Sequence, residues 1–63
     1  LNLSEDELEI VTVLLKDKEL QMDELAWKTQ IVINKLSSLL LMMEFKGLLK
    51  TLPGNKVKLT IGR

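Results

Sequence analysis

Up to Gly47 the apolar residues of this chain recur at intervals of three and four, and beyond Gly47 they alternate. The change of period inside MEFKGLLKTLPGNKVKL, residues 43–59, predicts a helix that stops at the glycine and a ribbon that reverses at Pro53-Gly54-Asn55. Glycine suits the left-handed backbone position that ends a helix. Leu48-Leu49-Lys50-Thr51-Leu52 and Lys56-Val57-Lys58-Leu59-Thr60-Ile61 carry the alternation of half-buried strands, with Val57, Leu59 and Ile61 inward and Lys56, Lys58 and Thr60 outward.

Upstream, Ser4-Glu5-Asp6-Glu7 reads as a capping box, flanked by Leu3 and Leu8 at the positions of a hydrophobic staple. The three acids also complement the positive end of a helix dipole, which explains them as helix stabilisers and not as catalysts. A first helix is expected from about residue 5 to 16, with Leu8, Val11 and Leu15 on one face and Ile10, Val13 and Leu14 widening it. Lys16-Asp17-Lys18-Glu19 is a polar turn, and Leu20-Gln21 suits a very short strand. Asp23 to Thr29 forms a second helix with Met22, Leu25, Ala26 and Thr29 inside and Trp27 pointing away. The run after Gln30 forms a third, its inner face Ile33, Leu36, Leu40 and Met43, its outer face Asn34, Ser37, Ser38 and Leu41.

The expected fold is therefore mainly α with a small β-hairpin: a three-helix helix-turn-helix core plus a C-terminal wing, the winged-helix plan. Residues 1–63 make one domain. A chain this short removes only about 60% of the surface that its unfolded form exposes, and with no cysteine or histidine it must rely on an apolar core instead of disulfides or zinc. No cofactor and no metal site is expected, since Glu5, Asp6 and Glu9 lack the looped spacing that calcium requires. Ser37 and Ser38 have no base in sight, and the chain reads as a non-enzyme. No apolar run approaches the roughly 20 residues that cross a bilayer, and the start lacks a signal-peptide pattern, which points to a cytoplasmic setting. The first residue is Leu, which together with the small size suggests a fragment of a longer protein.

Net charge is zero, but it is unevenly laid out. Residues 1–24 hold eight acids and two lysines, a sum of −6, and residues 25–63 hold seven bases and Glu44, a sum of +6. The split hints at an anionic partner for the second half.

DELAWKTQ, followed at the right distance by LLLMMEFKGLLKTLPGNKVKL, resembles the C-terminal winged-helix domain of the bacterial DNA-processing DprA (Smf) family. Asp23, Glu24, Leu25, Ala26, Lys28 and Thr29 match its second helix, Met43-Glu44-Phe45-Lys46-Gly47-Leu48 its helix-to-wing junction, and Leu52-Pro53-Gly54 its wing. The likeness spans about residues 4–60. The sequence departs from the pattern at Gln21, where the family tends to carry Ser or Thr, at Gln30, where it usually has glycine, and at Ile31-Val32-Ile33, where a proline is usual. The resemblance implies a part in natural transformation and DNA recombination, in which the whole family protein binds incoming single-stranded DNA and helps load RecA. The Rossmann-like domain that carries this activity is not in this chain.

Two kinds of partner remain open from the residues. For DNA, duplex or single strand at low specificity, the candidates are Asn34, Lys35, Ser37 and Ser38 on helix three and Lys50, Asn55, Lys56, Lys58 and Arg63 on the wing. The same lysines would equally solvate an edge ribbon and discourage strand-to-strand pairing, and a strong nucleic-acid binder usually has a basic pI, against about 6.4 here. For protein, Trp27, Leu41 and Met42 lie away from the core faces and suit self-association, or docking on a Rossmann-like domain or another protein.

Overall fold

The computed structural model describes residues 3–60. Three helices, α1 (Glu5–Asp17), α2 (Met22–Thr29) and α3 (Ile33–Phe45), and three strands, β1 (Glu19–Gln21), β2 (Leu49–Leu52) and β3 (Lys56–Leu59), follow in the order α1-β1-α2-α3-β2-β3. Ile61 and Arg63, assigned above to the core and the wing, lie outside the described residues.

At the start of α1 the Ser4 hydroxyl accepts from the Glu7 N–H at 3.2 Å, and a Glu7 carboxylate oxygen accepts from the Ser4 N–H at 2.9 Å. Both halves of the capping box are thus made. The second Glu7 oxygen meets Lys46 Nζ at 3.3 Å, so the box also fastens α1 to the end of α3. Glu7 is only 6% exposed. The Ser4 backbone donor, together with Lys46, holds its carboxyl below the usual glutamate range against the opposing effect of burial.

The buried face of α1 is Glu7, Ile10 and Leu14, with Val11 and Val13 partly covered. Leu8 and Leu15, expected inward, are more than half exposed, at 51% and 59%. The apolar residues between Leu8 and Leu15 cover a wide arc of α1, so its sequence names no unique inner stripe. Its rotation is set by what it packs against and here by the Glu7–Lys46 tie.

In α2, Leu25 and Thr29 are buried, with Met22 and Ala26 half-covered, and the Thr29 hydroxyl returns to the Leu25 carbonyl at 2.7 Å. Leu36, Leu40 and Met43 of α3 are buried as the spacing predicts, but Ile33 is substantially exposed. It is the first residue of α3, which begins two residues after the buried Ile31, so Ile31 takes the core position in its place.

The end of α3 is a Schellman motif: Leu48 N–H reaches the Met43 carbonyl and Gly47 N–H the Glu44 carbonyl, each at 3.0 Å, around Gly47 at φ +78°. Met43 and Leu48, which the motif brings together, are both buried. A Cβ at Gly47 would meet nothing within 4 Å, so the requirement for glycine is conformational and not steric.

The expected hairpin is the larger part of a three-stranded antiparallel sheet, ordered β1-β3-β2. Leu20 pairs with Val57 and Leu49 with Leu59; all but the half-covered Leu59 are buried. The Leu20-Gln21 strand signal fell short of predicting a partner, because β1 pairs with a segment more than thirty residues away and nothing local marks it. In the wing turn Gly54 takes φ +84° and Asn55 φ +60°, and the Asn55 carbonyl accepts the Met22 N–H at 2.8 Å. That bond supplies a partner for the first turn of α2, where Gln21 makes no side-chain cap.

Gly47→Val is expected to lower stability by about 1 kcal/mol or more through backbone strain alone, read as a drop of roughly 4–8 °C per kcal/mol in the thermal midpoint. Because the Glu7 carboxyl titrates lower in the folded chain than in the unfolded one, its stabilisation is present above the ordinary glutamate value of 4.5 and is lost as pH falls through the folded value. Denaturant midpoints measured down through that range should fall in the native chain and fall less in Glu7→Gln.

Candidate interaction surfaces

The outward side of α3 has two unlike ends. Asn34, Lys35, Ser37 and Ser38 are exposed along its first half. Lys35, however, points its ammonium at Asp6 of α1, 3.0 Å away. Along the second half Leu41 and Met42 are exposed and Phe45 stands 87% free. Leu41, Glu44 and Phe45 line a shallow cleft of about 270 Å³. Phe45 was not singled out in the sequence, although it lies four residues after Leu41 and opposite Leu36, Leu40 and Met43, a helical spacing that marks it.

The charge division of the sequence is answered inside the molecule. Lys28 meets Asp17 at 3.1 Å, Lys35 meets Asp6, Lys46 meets Glu7, and Lys56 approaches Glu19 at 3.9 Å. Each pair joins a base from the second half to an acid from the first. The three exposed pairs, all but Glu7–Lys46, contribute about 0–1 kcal/mol apiece, so they matter less for stability than for what they remove from the surface. Among the described residues Lys50 and Lys58 alone of the second half's lysines have no ionic partner.

Those two sit directly opposite each other across β2 and β3, on the solvent face of the sheet, with Glu19 on the far side of Lys58. Like charges in register destabilise a sheet by a few tenths of a kcal/mol to about 1. Lys56 lies on the same face, opposite Leu52 and Gln21, and Asn55 serves the fold through its backbone carbonyl.

A second apolar surface surrounds the turn between α2 and α3. Trp27 is 77% exposed, and Val32 and Ile33 also reach solvent. Gln30, in the place usually held by glycine, adopts φ +61°, and its side-chain amide donates to the Trp27 carbonyl at 2.9 Å, which partly offsets the left-handed strain and steadies the last turn of α2.

Among the described residues no group of three acidic side chains is placed to hold a metal ion, and no helix is long and apolar enough to cross a membrane. Compared with models of protein families, residues 2–55 match the DprA winged helix domain. No curated protein and no solved structure matches the chain. With three helices, a small antiparallel sheet and a family match over most of its length, the chain belongs to the DprA winged helix domain family.

Proposed function

We propose that this domain is a non-enzymatic accessory module of a DprA-like DNA-processing protein, working in the cytoplasm in natural transformation and DNA recombination, and that it acts there by docking on protein more than by gripping DNA. The observation that carries this reading is the outward end of α3. The second half of that helix presents Leu41, Met42 and Phe45 to solvent, and along its first half the one cation, Lys35, is held by Asp6. Neighbouring exposed apolar groups with an aromatic among them favour a protein contact. The parent's Rossmann-like domain, or a second copy of this chain, offers the kind of partner surface that would cover them.

Phe45→Ser should leave the melting temperature nearly unchanged, because the ring is almost wholly in solvent. It should weaken association, read by sedimentation of the domain alone over a range of concentrations and in mixture with the Rossmann-like domain. Identical sedimentation of native and variant chains in both settings defeats the docking reading.

A second reading, weak DNA contact through the wing, is favoured by the unpaired Lys50 and Lys58. Two phosphate contacts would give a salt slope near −2 and an affinity negligible at physiological ionic strength. Labelled duplex and single strand titrated at two salt concentrations should show weak binding at low salt only. Charge reversal at Lys50 and Lys58 should abolish it, and no saturable signal at low salt for either strand form removes this reading.

A further inference from the structure

Trp27 stands as a ridge between two shallow clefts. One, of about 430 Å³, runs along Ala26, Gln30, Ile31, Val32 and Ile33; the other, of about 410 Å³, is bounded by Glu24 and Lys28; Asp23 borders both. The rim is acidic in effect as well as in composition. Its one cation, Lys28, is committed to Asp17, while Asp23 and Glu24 have no ionic partner among the described residues. Their place in the first turn of α2 suits the helix dipole, but that interaction leaves both carboxylates in water beside an exposed indole. An apolar trough edged by the Asp23 carboxylate and an aromatic face, with the Glu24 carboxylate across the indole, is complementary to a cation-bearing apolar segment: side chains settle against Trp27, Val32 and Ile33, ammonium or guanidinium groups reach the carboxylates, and one can lie over the indole face. The same carboxylates repel a phosphate backbone.

We infer that the α2–α3 turn is a docking surface for a basic amphipathic segment of a partner protein, held by Trp27 and the Asp23 and Glu24 carboxylates. This rests on the docking reading above and names the partner's chemistry at a surface separate from Phe45.

Trp27 is the sole tryptophan and the chain has no tyrosine, so its emission reports the docking surface directly. The test uses two synthetic peptides of about four helical turns with one leucine stripe, flanked by lysines in the first and by glutamates in the second. The lysine peptide should shift Trp27 emission saturably, and more weakly as salt rises; the glutamate peptide should not. Asp23→Asn with Glu24→Gln should weaken the lysine peptide about tenfold, equivalent to about 1.4 kcal/mol, with an unchanged helical spectrum. A labelled lysine peptide should likewise lose affinity for Trp27→Ala and keep it for Phe45→Ser.

Equal binding of both peptides, or no loss in the neutralised variant, overturns the inference. So does an emission change on concentrating the protein alone, which would make a second copy the occupant, or a saturable shift with single-stranded DNA, which would mean base stacking on the indole. Phe45-dependent association surviving any of these results leaves the docking reading standing without this surface.

Discussion

The pairing of β1 with β3 is the contact on which the rest of the molecule depends. Three residues, Glu19–Gln21, lie against Lys56–Leu59 and convert a chain of helices with a trailing ribbon into a closed body. Through it Leu20 and Val57 meet in the core, and the wing turn comes close enough for the Asn55 carbonyl to take the first amide of α2. The position of α2 therefore depends on the wing. The loop closed is long, and its entropic cost is repaid only because both strands bring apolar side chains to the same core.

A second tie works from the opposite end. Glu7 completes its own helix cap with one carboxylate oxygen and holds Lys46 with the other, so the start of α1 and the end of α3 are fixed by one side chain. Next to it the Schellman turn at Gly47 sends the chain into β2 with Leu48 and Leu49 buried. Helix ending, wing and first helix are thus coupled at neighbouring points, and the surfaces that remain open are those these ties do not use: the outward face of the second half of α3 and the α2–α3 turn.

The distribution of charge explains why those surfaces are apolar or acidic instead of basic. A chain whose halves carry opposite charge can present two poles to its surroundings or fold one half onto the other. Here Asp6, Glu7, Asp17 and Glu19 draw Lys35, Lys46, Lys28 and Lys56 to themselves. The anionic partner that the second half calls for is mostly the first half. Among the described residues, Lys50 and Lys58 on the wing and the Asp23 and Glu24 carboxylates beside Trp27 stay outside these pairs, as do Glu5, Glu9, Lys16, Lys18 and Glu44.

Local chemistry alone determined much of this protein. The capping box at Ser4, the helix ending at Gly47, the Pro53-Gly54-Asn55 turn and the alternation of β3 are interactions among neighbours, and neighbours are written side by side in the sequence. The outward stance of Trp27, Leu41 and Met42 followed from helical spacing for the same reason. Tertiary structure decided what depends on distant partners: the rotation of α1, which turned Leu8 and Leu15 to solvent and buried Glu7, the exchange of Ile33 for Ile31 in the core, the third strand, and the neutralisation of Lys35. A helix with a wide apolar arc and a lysine that can reach an acid on another helix are each compatible with several arrangements, and only the packing of the whole chain selects one.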